Sequence, residues 1–230
     1  MKITKWIAAI CAPLFICACS DLNDFPEDSI QLYQQYEVYI QDNSKAGFAN
    51  FYVGGPEGQR FRLTGDAKVT VNDVKLLYAP SVTETSPEFN YSTYIDLGDR
   101  SATFRLYRSK NRTLTNSVDI SDIPYITMGT EATTLSASES IPYTASEILQ
   151  PQDQVEVSLA PAIGGTNVRI YKAVVSPISN SFRLHDVPAG RYFIRLDVVR
   201  QYPTTENDGS ASGTIRVIRR KMTGEITVTE

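Results

Sequence analysis

The sequence has little of the two side chains on which nucleophilic and metal chemistry most often depends. Its 230 residues include one histidine, His185, and three cysteines, Cys11, Cys17 and Cys19. The chain after residue 19 therefore can form no disulfide and no thiolate metal site. One histidine, without a Gly-x-Ser-x-Gly motif, indicates neither a Ser-His-Asp triad nor a histidine-based zinc site. We predict that the protein is not an enzyme, that it has no catalytic, cofactor or metal residues, and that His185 is a turn residue.

The longest apolar segment is too short to span a membrane. It runs from Trp6 to Ala18 and has 13 residues, whereas a spanning helix needs about 20. It follows Lys2 and Lys5 and ends in small residues, which is the layout of a bacterial secretion signal. We predict that residues 1–18 are a signal peptide.

Basic residues are in the minority. The whole chain has 22 basic and 26 acidic side chains, and residues 1–18 contain two of the lysines and no acid. The 212 residues after the signal therefore have 20 basic side chains against 26 acidic ones, a net charge of −6. A nucleic-acid partner requires a concentrated basic face. We predict no nucleic-acid partner.

The end of the signal carries a motif. Ile16-Cys17-Ala18-Cys19 resembles a lipobox, the cleavage site of bacterial lipoproteins, with Ile16 where leucine is usual. The resemblance implies cleavage before Cys19 and acylation of Cys19, so that the lipid bilayer is a partner. Several acyl chains would hold the protein permanently, since each buried CH₂ contributes about 0.8 kcal/mol. The alternative is ordinary secretion with a free Cys19.

Residues 19–34 are predicted to be a lipidated N-terminus and an acidic tether. Ser20 follows the cysteine, and by resemblance to enterobacterial sorting rules this favours the outer membrane. The next acids resemble the surface-export signals of Bacteroidetes lipoproteins, and the alternative is a solvated, extended tether. The protein then faces the periplasm or the cell surface. These acids are Asp21, Asp24, Glu27 and Asp28.

From residue 35 onward the sequence has the period of half-buried β-strands. Apolar and polar residues alternate, and Asn72-Asp73 suits a tight hairpin because both residues tolerate positive φ. Many short strands with regular turn signals favour antiparallel sandwiches. We predict an all-β chain with β regions at 35–129 and 130–230, as two domains or one larger sandwich. Predicted strands include Ala46–Val53, Phe61–Leu63, Ile123–Met128, Tyr192–Val198, Thr214–Ile218 and Glu225–Thr229.

Three stretches carry a family resemblance. The first runs from Arg62 to Asn72, the second from Thr113 to Val118, and the third joins Arg195–Arg200 through a Gly/Ser loop to Gly213-Thr214-Ile215. Together they resemble uncharacterised bacterial (Bacteroidetes-like) lipoproteins. The resemblance implies two tandem antiparallel immunoglobulin-like β-sandwiches and no established activity.

The sequence suggests three kinds of ligand site, and each has a purely structural alternative. Two basic clusters could hold a phosphate-bearing glycolipid or an acidic glycan, although charges also protect edge strands. Tyr91, Tyr94 and Tyr107 could stack on a glycan, although strand tyrosines commonly pack half-buried. Three Asp/Glu groups could bind calcium, but none forms an ordered ligand loop. The basic clusters are Arg105, Arg108, Lys110, Arg112 and Arg216, Arg219, Arg220, Lys221; the acidic groups are Asp96/Asp99, Asp119/Asp122 and Glu206/Asp208.

The sequence thus favours a non-enzymatic, lipid-anchored protein with a binding or scaffolding role on the outer membrane or cell surface. Two alternatives remain open at this point. One is a glycan-capture accessory lipoprotein of a polysaccharide-uptake system, and the other is a fimbrial or adhesive subunit. The partner is then a glycan or a protein, beyond the bilayer held through Cys19.

Overall fold

The computed structural model describes residues 30–79, 90–109, 111–162, 171–176 and 179–230. These residues form seventeen strands and no helix, which confirms the all-β prediction. The predicted signal peptide, Cys19 and the tether up to residue 29 lie outside the described residues. The strands are β1 (Leu32–Gln41), β2 (Ser44–Val53), β3 (Gln59–Arg60), β4 (Lys68–Val71), β5 (Val74–Lys75), β6 (Leu77–Tyr78), β7 (Tyr91–Ile95), β8 (Ser101–Ser109), β9 (Arg112–Asp119), β10 (Ile126–Met128), β11 (Thr134–Ser136), β12 (Ile141–Ala145), β13 (Asp153–Pro161), β14 (Tyr171–Val175), β15 (Ser181–Phe182), β16 (Gly190–Pro203) and β17 (Gly213–Thr229).

One large sheet forms the frame of the molecule. Its main path is β14-β13-β16-β17-β1-β2-β7-β6, with β3 paired to β2 and β11 paired to the end of β17. Most neighbours are antiparallel, but β1 runs parallel to β17 over eight residue pairs, from Gln34↔Gly213 to Gln41↔Arg220. The first and last strands of the described chain therefore lie side by side.

Two smaller sheets pack on one side of the large sheet. The four-stranded sheet β5-β4-β8-β9 lies over β1 and β2, where the ring of Tyr36 stacks on Phe104 at 4.5 Å. The three-stranded sheet β10-β12-β15 lies on the same side, because Arg219, which shares a face with Ile40, donates to the backbone oxygen of Ile123 just before β10. Buried apolar side chains between the sheets form the core.

Strands β16 and β17 connect the two predicted β regions. The first eight residues of β17 pair with β1, and its last three pair with β11. β16 pairs with β17 over nearly the whole of this length, interrupted by a β-bulge between Phe193 and Arg195. Chain segments before and after residue 129 thus belong to one sheet. Whether residues 35–129 and 130–230 also fold as separate domains stays a prediction.

Several predicted strands are confirmed. β2 contains Ala46–Val53, and β16 contains the alternating run Tyr192–Val198. The hairpin at Asn72-Asp73 is confirmed too: φ is 47° and 66° at the two residues, as a two-residue type I′ turn between Val71 and Val74 requires.

Four predicted strands are wrong in extent or type. Phe61 and Leu63 are buried but lie outside any strand. Phe61 makes one more hydrogen bond to β2, at the Phe51 carbonyl, and the pairing then ends because the Leu63 N–H donates to the Tyr91 hydroxyl instead of to a neighbouring strand. The two last predicted strands are one strand, β17, whose pairing with β16 continues through Lys221 and Met222. The strand predicted at Ile123 begins only at Ile126.

Candidate functional site

The side of the large sheet opposite both smaller sheets is the best candidate for a binding surface, and we name it the open face. Side chains alternate between the faces of a strand. Tyr36 faces the four-stranded sheet, so its neighbours along β1 point to the open face. The register then adds Arg216, Ile218 and Arg220 from β17. The open-face residues of β1 are Tyr33, Gln35, Glu37, Tyr39 and Gln41.

The centre of the open face is a ladder of charges. Arg216 lies between Glu37 and Glu156, with N–O distances of 3.4 and 3.8 Å. Arg220 makes two hydrogen bonds to Asp197, at 2.6 and 2.5 Å. Burial alone would lower the pKa of Arg220, but these hydrogen bonds and the charge of Asp197 raise it. Arg220 therefore stays charged, and both arginines are neutralised locally by acids.

Beside this ladder lies a group of aromatic and amide side chains on β1 and β2. The rings of Tyr33 and Tyr52 meet edge to face at 6.3 Å. The Tyr52 hydroxyl donates to Gln35 Oε1 at 2.9 Å and lies 3.2 Å from the Asn50 amide nitrogen. Asn50 is buried, and its oxygen accepts the N–H of Asn90. The half-buried rings of Tyr33 and Tyr52 and the Gln35 amide can stack on a ligand and hydrogen-bond to its hydroxyl groups.

The sheet edge at β6 and β7 exposes apolar surface. Among the described residues, five of the eight exposed large hydrophobics fall between residues 74 and 97. Tyr94 is 79% exposed and Leu77 66%, and the register places both on the open face, in rows with Ala46 and Phe48. Concentrated apolar exposure of this kind marks interaction surfaces. The five residues are Val74, Leu77, Tyr78, Tyr94 and Leu97. Val74 lies in β5 of the four-stranded sheet, and Tyr78 is in register with the buried Tyr91, so it faces away from the open face.

A cleft of about 260 Å³ lies on the other side of the large sheet, between residues 127–133 and 221–226. Lys221 and Glu225 line it. Both are already engaged, since Lys221 pairs with Asp42 at 2.6 Å and Glu225 pairs with Arg191. The other lining side chains include four threonines, two methionines and Glu131, and the described lining has no further charged or aromatic group, so the cleft is a weaker candidate than the open face.

The two predicted basic clusters do not form anion-binding patches. In the first, Arg105 pairs with Asp73, whereas Arg108 and Arg112 both contact Asp208; Lys110 lies outside the described residues. In the second, successive arginines of β17 alternate between faces, so that they meet different partners. Adjacency in sequence suggested a patch, but strand alternation separates the charges and acids neutralise most of them.

The three predicted glycan-stacking tyrosines lie on different surfaces. Tyr91 is buried in the core, where its hydroxyl accepts the N–H of Leu63. Tyr94 lies on the open face, and Tyr107 lies on β8 beneath the Lys68 ammonium. They cannot form one platform. The aromatic group that the register does assemble, Tyr33 with Tyr52, was missed because its members are 19 positions apart.

The predicted acidic groups have other roles. Asp96 and Asp119 accept N–H bonds within their own turns, from Gly98 and Ser121, and Asp122 pairs with Arg200. Among the described residues, no three His, Cys, Asp or Glu side chains gather where they could hold a metal ion. His185 is exposed in the loop between β15 and β16, as predicted for a turn residue.

The described residues include no helix with the length and apolar character needed to cross a membrane. Comparison of the sequence with protein-family models and with curated proteins finds no match.

Proposed function

We propose that the protein is a non-enzymatic lipoprotein, held at the outer membrane by acylated Cys19, that binds a partner on the open face. The observation that carries the binding role is the exposure of two large apolar side chains, Leu77 and Tyr94, at the β6–β7 edge of that face. The proposal includes a signal peptide at 1–18, a tether from residue 19 to residue 34, and two tandem immunoglobulin-like sandwiches at 35–129 and 130–230, joined where β17 pairs with β1.

The path of β17 supports a role at a distance from the membrane. The tether enters the fold at Ile30–Leu32, beside the start of β17, and β17 then extends for 17 residues. At about 3.3 Å per residue this strand is roughly 50 Å long. A lipid at Cys19 would therefore hold one end of the molecule at the membrane and leave the far end of β17 well away from it.

Metabolic labelling with a palmitate analogue tests the anchor. We expect the unmodified chain to be labelled and Cys19→Ala to lose the label. Cys17→Ala is the matched control, because it removes the neighbouring thiol and keeps Cys19. Label retained by Cys19→Ala would contradict the anchor, and label lost only in Cys17→Ala would move the acylation site.

Site-specific photocrosslinking in intact cells tests the open face. A crosslinking residue at Tyr94 is expected to give a discrete adduct, because its side chain projects from the apolar edge. The control position is Ser117, which is exposed on β9 of the four-stranded sheet. Equal adducts at both positions, or none at Tyr94, would contradict a partner on the open face.

Capture of a glycan is the second candidate, and the Tyr33–Tyr52 group with Gln35 favours it. On a glycan array we expect saturable binding that Tyr52→Ala abolishes and Tyr107→Ala leaves unchanged. A blank array with a well-folded protein would contradict this candidate without affecting the proposed anchor.

A further inference from the structure

The pairing of β1 with β17 has a specific mechanical geometry. The two strands run parallel through eight residue pairs, and β17 continues nine residues beyond the last of them, Gln41↔Arg220. The N-terminal chain leaves β1 at one end of this pairing, and Glu230 follows β17 at the other. A pull between these two points therefore draws β1 and β17 past each other along their axes. In that direction the ladder's hydrogen bonds share the force and must break together.

The beginning of the pairing is closely packed. A Cβ atom on Gly213 would lie 2.5 Å from the backbone oxygen of Gln34, so only glycine allows β17 to approach β1 this closely. On its other edge, β1 pairs with β2 through ten antiparallel residue pairs. Tyr36 and Val38 of β1 are completely buried beneath the four-stranded sheet. Sliding β1 would disrupt both ladders and the core together.

A buried ionic cluster fixes the residues through which the tether enters the fold. Asp208, in the β16–β17 loop, accepts the N–H of Leu32 at 2.9 Å and lies 3.4 Å from Nε of Arg108. Arg108 in turn donates to the Ile30 carbonyl at 2.6 Å. Gln31 accepts from the backbone and hydroxyl of Ser210 in the same loop. We name Arg108, Arg112 and Asp208 the latch, because together with the loop they hold three consecutive residues.

Force from the far end has a continuous path to β1. β16 and β17 pair from Tyr202↔Ile215 near the tether to Gly190↔Val228 at the other end. Both strands therefore run along the full length of the large sheet, from the tether end to the far end. A load on the far end reaches the β1–β17 pairing through covalent strands rather than through a loop or a hinge.

We propose that the β1–β17 pairing, closed by the latch, is a mechanical clamp that resists pulling between the membrane tether and the far end of the molecule. The membrane as the source of force rests on the proposed anchor at Cys19. The resistance itself depends only on the fold, so the two are tested separately.

Single-molecule force spectroscopy tests the clamp by comparing two pulling directions. The chain from Cys19 onward, made without the signal and so not acylated, has Cys19 as its one thiol, which supplies the first attachment point. The second is either Glu230→Cys or Ser212→Cys. Pulling at residue 230 shears β1 against β17 along their axes, whereas pulling at residue 212 peels the two strands apart from the end where Gln34 pairs with Gly213, one hydrogen bond at a time. Both positions are exposed.

We expect the largest rupture force in each trace to be at least about twofold higher for Glu230→Cys than for Ser212→Cys at equal loading rate, because forced unfolding follows the barrier along the pulling direction. Equal forces in the two directions would overturn the clamp. Since neither substitution is in the core, both proteins are expected to fold.

The latch is tested with Asp208→Asn in the Glu230→Cys background. Its control is Asp197→Asn, which weakens another largely buried Arg–Asp pair, between β16 and β17 rather than at the tether. We expect a clearly lower rupture force for Asp208→Asn alone. Equal losses in the two variants would remove the latch from the proposal. If Asp208→Asn does not fold, the comparison of pulling directions still decides whether the clamp exists, and palmitate labelling decides the anchor independently.

Discussion

Two Arg–Asp pairs lie at opposite ends of the four-stranded sheet, and they are buried to very different depths. At the tether end, the Arg108 and Asp208 side chains are both 0% exposed. At the opposite end, in the Asn72-Asp73 hairpin, Arg105 is 32% and Asp73 76% exposed. A third pair, Arg200 with Asp153, is buried, but a second acid, Asp122, reaches the same arginine from a 59% exposed position.

This difference indicates that the burial of an ion pair, not the number of pairs, sets how much each pair contributes to the free energy of unfolding. An exposed pair is solvated whether or not it forms, so it contributes about 0–1 kcal/mol. A buried pair replaces lost hydration with mutual contact, and losing one partner leaves the other charge stranded. The latch should therefore be sensitive to substitution in a way that the hairpin pair is not.

The largest effect is expected from Asp208→Asn. The substitution keeps the shape of the side chain but leaves the buried Arg108 charge without its acid, which should lower the free energy of unfolding by about 3–5 kcal/mol. Urea denaturation followed by fluorescence or circular dichroism measures it. A loss below about 1 kcal/mol would show that the latch contributes no more to stability than an exposed ion pair, and would contradict the role given to burial.

Asp153→Asn should have an intermediate effect. Asp153 accepts two hydrogen bonds from Arg200, at 2.6 and 3.0 Å, while Asp122 stays 2.9 Å from the same guanidinium. Because one acid remains, we expect a loss of about 2–3 kcal/mol. The Asp122→Asn/Asp153→Asn double variant sharpens the comparison: it should lose more than the sum of its single variants. Simple additivity would contradict shared neutralisation.

Buried tyrosines show the same cost of burying a charge, because at alkaline pH they would have to ionise inside the fold. Burial raises the pKa of Tyr91 to about 12, and burial raises the pKa of Tyr36 further. Unfolded tyrosine loses its proton near pH 10. Between about pH 10 and 12 the folded chain therefore holds protons that the unfolded chain has released, and stability should fall as pH rises.

Tyr91→Phe tests this contribution through urea midpoints measured at a series of pH values. The variant's stability should fall less steeply above pH 10, by up to about 1.4 kcal/mol per pH unit for the one proton removed. Below pH 9 the two pH profiles should be parallel. Equal slopes above pH 10 would show that Tyr91 ionises freely in the folded protein.

Short-range sequence patterns, such as the alternation of apolar and polar residues and the residues that favour turns, correctly predicted the strands that show these patterns. The period of two identified β16, an apolar-aromatic run identified β2, and the tolerance of Asn and Asp for positive φ identified the hairpin at residue 72. The patterns failed where side chains no longer alternate. Residues 219–224 of β17 are half-buried or exposed without a period, because they cross from one small sheet to the other, and the strand was predicted as two.

The open face and the latch were not predictable from sequence, since register creates both. Arg108 and Asp208 are 100 positions apart, and each was assigned to a different local cluster. Tyr33 and Tyr52 meet only because β1 and β2 pair in one particular register. Only composition and turn chemistry act locally; which charges meet across a sheet depends on a pairing between distant segments.

The smallest effect is expected from Asp73→Asn, the same substitution at the exposed end. Asp73 has φ of 66°, and asparagine tolerates this conformation at least as well, so the type I′ turn should persist. Only the exposed contact with Arg105 is lost, and the free energy of unfolding should change by less than about 0.5 kcal/mol. Urea denaturation beside Asp208→Asn under identical conditions makes the comparison direct. A loss above 2 kcal/mol at Asp73 would mean that the exposed hairpin, and not depth of burial, controls the contribution of these pairs.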